Sequence, residues 1–339
     1  MSHAIRIHRT GSPEVLQWEE VDVGTPKAGQ VRLLQTCVGL NFIDVYHRTG
    51  LYPLSLPCVP GMEATGVVDS VGEGVNHLKP GDRVAYASVI GAYAEKRLIA
   101  SDRVVKLPDF IDDRTAAAMM LQGMTAHYLA CSTYSLEQGS TCVIHSAAGG
   151  VGLLLTQIAK MRGAVVVGAV STPAKAAVAA ANGADHVAVY ADGDLVDIAR
   201  RATAGRGVDV VYDAVGKDTF EQSLACLRVR GLLALYGEAS GLVPPLDVRQ
   251  LLTAGAVYLT RTGLSYYATT EAERRQRGDD VLRWLSQGML KPRIDSTYSL
   301  QDAAQAHRAI ESRGTIGKIL LVPRPRRQKD QPATPPGPA

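Results

Sequence analysis

The fold is decided by Thr141-Cys142-Val143-Ile144-His145-Ser146-Ala147-Ala148-Gly149-Gly150-Val151-Gly152. An apolar run typical of a buried strand is followed by small residues and then by an apolar stretch long enough for a helix. Gly149 and Gly152 match the second and third glycines of the G-x-G-x-x-G motif, and Ala147 stands in place of the first. A small residue permits the tight turn, Gly149 lets the backbone approach a pyrophosphate, and Gly152 lets the helix pack close to the strand. The stretch therefore predicts a strand, a phosphate-binding turn and the N-terminus of a helix.

Apolar strands and amphipathic helices alternate along the chain after this turn. The predicted strands are 141–145, 164–170, 186–190, 208–212, 232–236 and 256–259. The predicted helices between them are 152–161, 173–182, 195–203 and 220–227, and a further helix is predicted over 270–287. Such alternation indicates βαβ units. The sequence thus predicts an α/β fold with a six-stranded parallel Rossmann sheet that helices cover on both faces.

The first third of the chain has a different pattern. Short β-branched or alternating runs at 4–8, 31–38, 63–71, 83–87 and 92–99 are separated by glycine and proline turns. These runs predict a small, mostly β unit, which a predicted helix over 112–128 follows. A chain of 339 residues is long enough for two domains, each with its own core.

The end of the second predicted strand bears on the choice of cofactor. It reads Val170-Ser171-Thr172-Pro173-Ala174-Lys175. NAD sites usually place an acidic residue here to bind the ribose 2′-hydroxyl. This chain has two hydroxyls and a cation instead, and Lys175 would attract a 2′-phosphate that a carboxylate would repel. The segment therefore favours NADPH.

Charge and hydropathy argue against several classes of partner. The net charge is +3, and residues 323–339 supply four basic residues and one acidic residue, so the rest of the chain is neutral. A neutral body makes nucleic acid an unfavoured partner, and the proline-rich basic segment 325–339 is predicted to be a disordered tail.

The longest apolar runs are too short to cross a bilayer, and no signal-peptide pattern begins the chain. Five widely spaced cysteines suit a reducing compartment, so we expect a cytoplasmic protein without a membrane anchor.

Motifs outside the glycine-rich turn extend the pattern over most of the chain. They are Asn41-Phe42-Ile43-Asp44-Val45-Tyr46, Gly50-Leu51-Tyr52-Pro53, Gly61-Met62-Glu63, Gly81-Asp82-Arg83-Val84, and Gln157 and Lys160 after the turn. Together with the turn, they resemble the medium-chain dehydrogenase/reductase superfamily and, within it, the quinone oxidoreductase (zeta-crystallin) group. The resemblance spans residues 5–322. It implies a mostly β GroES-like catalytic domain from residues 1–122 and 297–324, and an NADPH-binding Rossmann domain from residues 123–296.

Two positions bear on zinc. The zinc alcohol dehydrogenases of this superfamily carry a cysteine where this chain has Asn41, and a histidine where it has Met62. Neither substitute is a usual zinc ligand. The resemblance therefore implies a zinc-independent enzyme. Without a Lewis acid, such an enzyme would act on acceptors that are already electron-poor, such as a quinone or an activated alkene.

The resemblance also implies a cleft between the two domains. Asn41 would hold a carboxamide or a substrate carbonyl, and Tyr46 and Tyr52 would hydrogen-bond or protonate the reduced oxygen. Packing is the alternative role for the two tyrosines. The residues implied to bind NADPH are Thr125, Ala148, Gly149, Gly150, Val151, Gly152, Ser171, Lys175, Tyr190, Gly216, Tyr236, Gly237, Arg261 and Arg313. A surface salt bridge is the alternative for either arginine.

Other polar residues near these motifs are interpreted more simply. Asp44 and Glu63 are expected to make structural hydrogen bonds rather than to act as an acid/base pair. His47 is expected to be a surface histidine. Glu238 stands where the family commonly has a neutral residue, and no role is assigned to it.

Three functions are considered. The first is an NADPH:quinone oxidoreductase, which transfers a hydride from NADPH to a quinone. The second is reduction of the C=C bond of enals and enones by the same chemistry. The third is RNA binding, because zeta-crystallin relatives include RNA binders, although the neutral body argues against it. The resemblance further implies a homodimer that pairs the last strand of the nucleotide-binding sheet, near 256–259, edge to edge.

Overall fold

The computed structural model describes residues 2–323, and the predicted disordered tail at 325–339 lies outside them. The strands are β1 Ser2–Arg6, β2 Gln17–Val21, β3 Gln30–Leu40, β4 Glu63–Val71, β5 Arg83–Ala87, β6 Lys96–Ala100, β7 Val105–Lys106, β8 Thr141–His145, β9 Val165–Val170, β10 His186–Val189, β11 Val208–Asp213, β12 Leu227–Leu235, β13 Tyr258–Arg261, β14 Ile294–Ser299 and β15 Lys318–Val322. The α-helices are α1 Phe42–Thr49, α2 Asp113–Ala117, α3 Met120–Tyr128, α4 Gly150–Met161, α5 Pro173–Ala181, α6 Leu195–Ala202, α7 Phe220–Cys226, α8 Arg249–Thr253, α9 Leu264–Tyr267, α10 Glu271–Ser286 and α11 Ala303–Glu311.

Six strands form one wholly parallel sheet in the order β10-β9-β8-β11-β12-β13. The predicted six-stranded Rossmann sheet is thereby confirmed. Every residue of β8 and β11 is buried, as expected for central parallel strands that helices cover on both faces. The chain runs outward in opposite directions from β8 and β11. At this switch point a crevice opens at the carboxyl ends of the strands, and the turn after β8 lies in it.

A second sheet has seven strands, in the order β14-β15-β3-β4-β5-β7 with β6 also paired to β3. It is mostly antiparallel, and side chains along β3 alternate between buried and half-buried positions. The expected mostly β GroES-like domain is confirmed. β15 pairs antiparallel with the Val38–Leu40 end of β3, so residues from both ends of the described chain build this sheet. The proposed domain boundaries at 122/123 and 296/297 fall inside α3 and β14, and they stay proposals.

Several predicted elements differ in extent from the structure; β12, for example, begins at Leu227, five residues before the predicted strand 232–236. The predicted strand 92–99 begins only at Lys96, and the residues before it bond to Gly61 and to β1: the N–H of Ala92 donates to Gly61 O, and the N–H of Ile5 donates to Tyr93 O. The predicted helix 112–128 is divided into α2 and α3, and the N–H of Leu121 in the first turn of α3 donates to the Glu63 carboxylate at 2.6 Å. The last strand of the parallel sheet begins at Tyr258, two residues later than predicted.

Candidate active site

The turn between β8 and α4 has the geometry that the glycine pattern predicts. α4 begins at Gly150, directly after the N-cap residue Gly149. A Cβ atom on Gly152 would lie 2.3 Å from Ser146 O and 2.8 Å from Ala147 Cα, so only glycine lets the helix approach the strand this closely. A Cβ atom on Gly149 would lie 3.1 Å from the nearest atom, Ser146 O. Gly152 therefore serves packing, whereas Gly149 borders the open cleft.

A cleft of about 1220 Å³ runs from this turn to helix α1 of the other domain. Every residue predicted to be catalytic or to bind the cofactor lines it, except Gly216. The N–H of Gly216 donates to Asp213 Oδ1 at 3.0 Å, and the residue has a φ of +88°. The sequence places Gly216 correctly at the end of β11. Gly216 does not line the cleft itself, although Val215 and Asp218 of the same loop do, and its predicted role in cofactor binding stays a prediction.

One end of the cleft carries cations. Lys175 Nζ donates to the backbone carbonyl of Arg313 at 2.5 Å, and burial lowers the pKa of the Lys175 ammonium. The Arg313 guanidinium lies 3.7 Å from Asp218, across the loop that follows β11. Ser171 lines the same end, after β9. Lys175 and Arg313, each predicted separately to bind the cofactor, thus lie together near the carboxyl end of β9, with Asp218 beside Arg313.

Tyr190 lines the cleft beside the phosphate-binding turn. The N–H of Ser146 donates to the Tyr190 hydroxyl oxygen at 3.2 Å, and this hydroxyl also bonds to His145 Nδ1 at 3.0 Å. Burial raises the pKa of the Tyr190 hydroxyl, which therefore stays protonated. The tyrosine thus ties the turn to the end of β10.

The other end of the cleft joins the two domains through Tyr46 and Tyr52. Their ring centroids are 5.0 Å apart. The N–H of Glu238, in the loop after β12, donates to the Tyr46 hydroxyl oxygen at 2.7 Å. Arg261 donates to the Tyr52 hydroxyl oxygen, and Tyr52 donates to the Glu238 carboxylate at 3.4 Å. Arg261 therefore lies with the tyrosines, whereas Lys175 and Arg313 lie together elsewhere in the cleft.

Asn41 is buried, and its side-chain amide is held on both sides. Its Nδ2 donates to Gly39 O at 3.0 Å and to Glu63 at 2.9 Å, and its Oδ1 accepts from Lys318 Nζ at 2.7 Å. Both N–H donors of the amide are thus used, and one oxygen lone pair remains. That lone pair can accept from a carboxamide NH₂ group. A substrate carbonyl would have to compete with Gly39 O and Glu63 for the Nδ2 donors, and both expected roles of Asn41 stay predictions.

Beneath Asn41 lies an ion pair that no local sequence pattern indicates. Lys318 Nζ and Glu63 Oε2 are 2.5 Å apart, and the two side chains are 1% and 0% exposed. Glu63 also accepts from the N–H of Leu121, so it links β4, β15 and α3. The structural interpretation of Glu63 agrees with these contacts.

Asp44 and His47 are among the buried residues of α1. Asp44 accepts from the N–H of Asn41 and from the Tyr93 hydroxyl, each at 3.0 Å, and burial raises the pKa of its carboxyl to about 7. These contacts agree with the expected structural role. His47 lines the cleft and is 7% exposed, so the expectation of a surface histidine is wrong. Burial lowers the pKa of its imidazole.

In residues 2–323, no group of three or more His, Cys, Asp or Glu side chains is placed to hold a metal ion. Over that range, the helices are also too short or too polar to cross a bilayer.

Comparison with known proteins identifies the family. A family profile described as an alcohol dehydrogenase GroES-like domain matches residues 27–109, and one described as a zinc-binding dehydrogenase matches residues 182–321. Quinone oxidoreductase 1 of Escherichia coli (strain K12) is 42% identical over 95% of this chain and 100% of its own length. A 2-haloacrylate reductase of a Burkholderia species is 41% identical over 95% and 99%.

Solved structures agree with these matches. The crystal structure of Escherichia coli quinone oxidoreductase complexed with NADPH superimposes with a TM-score of 0.92 at 41% identity, covering 95% of this chain and 100% of that chain. A quinone oxidoreductase from Pseudomonas syringae gives 0.93 at 40% identity with the same coverage. The chain therefore belongs to the quinone oxidoreductase group of the medium-chain dehydrogenase/reductase superfamily.

Proposed function

We propose that this protein is a zinc-independent, NADPH-dependent oxidoreductase that reduces a quinone. The proposal rests on one arrangement: a single cleft has a phosphate-binding turn with two cations at one end and paired tyrosine hydroxyls at the other. Solved relatives of the same fold include an NADPH complex. The acceptor class comes from the named relatives, of which the Escherichia coli and Pseudomonas syringae proteins are quinone oxidoreductases.

The residues at the turn suit the cofactor. Gly149 and the N-terminus of α4 would hold the pyrophosphate, and Lys175, Ser171 and Arg313 would hold the 2′-phosphate. Lys175 bonds to a neutral carbonyl, so its charge remains available to an anion. When bound, NADPH supplies the hydride, and a quinone that also takes up one proton becomes a hydroquinone.

Tyr46 is suited to serve the acceptor oxygen. Its own oxygen accepts the Glu238 N–H, which leaves the hydroxyl proton free to bond to a substrate oxygen. Burial raises the pKa of Tyr46, so this proton is retained at neutral pH. Tyr46 therefore orients the acceptor and stabilises its reduced oxygen. The protonation itself can also come from solvent.

An electron-poor alkene is the second candidate acceptor. A relative of equal similarity is named 2-haloacrylate reductase, and its substrate is an activated C=C bond. The tyrosine pair would bond to the activating carbonyl of an enal or enone as it would to a quinone oxygen. The two classes of acceptor therefore differ in shape and charge, whereas the residues that would bind them are the same.

We also propose that the protein is a cytoplasmic homodimer. β13 is an edge strand of the parallel sheet, and the apolar side chains on and near it are exposed. They include Val248, Leu252 and Tyr258. An unpaired apolar strand edge of this kind favours pairing with a second copy.

The function is tested by NADPH oxidation with a panel of quinones, enals and enones. We expect turnover with at least one uncharged quinone. We also expect the same rate after treatment with a strong chelator, because Asn41 and Met62 occupy the positions where relatives hold zinc. Loss of activity that added zinc restores would contradict the zinc-independent assignment. A panel without any turnover would contradict the function itself.

Lys175→Ala should raise KM for NADPH far more than KM for NADH. A hydrogen bond to a charged group contributes about 1.5–3 kcal/mol, which corresponds to about 10- to 100-fold in KM. The measurement is steady-state kinetics with both cofactors and one quinone. Lys27→Ala, at an exposed lysine outside the cleft, is the control. Equal changes with NADPH and NADH would show that Lys175 does not contact the 2′-phosphate.

A further inference from the structure

Glu238 is the one acidic side chain among the cleft residues that contact Tyr46 and Tyr52. It follows β12 and reaches both domains: its N–H bonds to Tyr46, and its carboxylate accepts from Tyr52. The carboxylate also lies 3.4 Å from the Arg261 guanidinium. The Glu238 side chain is 11% exposed and that of Arg261 is 36% exposed, so the pair borders the cleft while partly shielded from water.

The donors of Arg261 are largely occupied. Its Nη1 donates to Leu235 O at 3.3 Å and to Thr262 O at 2.7 Å. Its Nε and Nη2 face the two oxygens of Glu238, each at 3.4 Å, and Nη2 also donates to Tyr52. Nε and Nη2 of Arg261 form a guanidinium fork that a carboxylate ligand would bind bidentately, and Glu238 already occupies it.

Few charged groups lie at the end of the cleft that holds Tyr46 and Tyr52. Glu63 and Lys318 cancel each other in a buried pair, and the lowered pKa of His47 keeps that imidazole neutral. Asp44 is buried, and the raised pKa of its carboxyl, about 7, leaves it only partly ionised at neutral pH. Arg48 of α1 pairs with Glu311, and Arg261 and Glu238 pair with each other at the border of the cleft. An acceptor with a carboxylate would have to displace Glu238 and would be repelled by it.

We propose that Glu238 is a specificity-determining residue that restricts this enzyme to uncharged acceptors, by occupying the guanidinium fork of Arg261. Carboxylate-bearing alkenes, the class named for the 2-haloacrylate reductase relative, are then disfavoured here. The inference rests on the proposed function and adds the charge of the substrate to it. Neutralising Glu238 frees Arg261 and opens the site to such anions.

The test compares two acceptors that share one alkene and differ in charge: 2-chloroacrylate and 2-chloroacrylamide. Reduction adds a hydride to the β-carbon and a proton to the α-carbon, and NADPH becomes NADP⁺. We expect Glu238→Gln to raise the ratio of kcat/KM for the acid to that for the amide by about tenfold or more, the usual effect of a charge-assisted hydrogen bond. In the Glu238→Gln/Arg261→Gln double variant, this gain should disappear.

Equilibrium binding tests the role of Glu238 a second time, without requiring turnover. Each acceptor is titrated calorimetrically into the protein with NADP⁺ bound. Glu238→Gln should tighten Kd for 2-chloroacrylate by about tenfold and leave Kd for 2-chloroacrylamide within about twofold. Glu238→Asn, which also removes the charge, replaces Glu238→Gln if thermal melting shows that the latter is unfolded.

The outcomes separate the two proposals. A wild-type protein that reduces no acceptor in the panel contradicts the proposed function, and the titration still decides the role of Glu238. An active wild type whose acid-to-amide ratio and Kd are unchanged by Glu238→Gln overturns the inference. A wild type that already binds the acid as tightly as the variant does would also overturn it.

Discussion

Replacing Lys318 with methionine should lower the free energy of unfolding by about 3–5 kcal/mol, because removing one partner of a buried pair leaves the other charge unpaired. The Glu63 carboxylate would remain wholly buried, with only the Asn41 amide and the Leu121 N–H as donors. Urea unfolding, followed by circular dichroism and extrapolated to water, measures the change.

Two variants serve as controls for this experiment. Lys318→Met/Glu63→Gln should regain most of the lost stability, since no charge is then left buried. Lys106→Met, which breaks an ion pair with Asp82 on a largely exposed lysine, should cost less than about 1 kcal/mol. If Lys318→Met is no more destabilising than Lys106→Met, the buried pair does not stabilise the fold.

Gly152→Ala should weaken NADPH binding by about 100-fold or more, and it should also lower Tm. The new Cβ would meet two backbone atoms, Ser146 O at 2.3 Å and Ala147 Cα at 2.8 Å, which cannot move aside as a flexible side chain could. The turn must therefore widen, and the N–H groups at the start of α4 would no longer point at the phosphates. Each such bond to a charged group contributes about 1.5–3 kcal/mol. NADPH fluorescence titration measures Kd.

Gly149→Ala is the matched variant. Its Cβ would lie 3.1 Å from a single backbone atom, Ser146 O, which is a tight contact but a much looser one than those at Gly152, so Tm should fall less than in Gly152→Ala. The methyl group would enter the cleft where the pyrophosphate approaches, and binding should still weaken. If Gly152→Ala binds NADPH as the wild type does, phosphate binding does not depend on this turn.

The parts of the fold that depend on neighbouring residues were predictable. The requirements of the β8–α4 turn are met within twelve residues, and the glycine spacing is therefore sufficient to predict it. The alternation of apolar strands with helices likewise predicts the parallel sheet. Lys175 lies five residues after the end of β9, in the first turn of α5, which is why its place near the β8–α4 turn could be expected.

The rest of the site depends on contacts between distant parts of the chain. Lys318 bonds to Asn41 across 277 positions, and only the packing of β15 on β3 brings them together. No local pattern could show that the Asn41 donors are already used. Similarly, His47 is buried with its ring packed edge to face against Tyr52, and the N–H of Gly216 is turned toward Asp213.

The pairing of β15 with β3 also sets an order of events during synthesis. The whole parallel sheet, residues 141–261, leaves the ribosome before residues 318–322 exist as a strand. Since domains fold as units as they emerge, the nucleotide-binding sheet can be complete while the Val38–Leu40 end of β3 lacks its partner. An uncovered strand edge can associate with other nascent chains. Asn41 follows directly after this edge, so its bond to Lys318 can form only after residues 318–322 have been added.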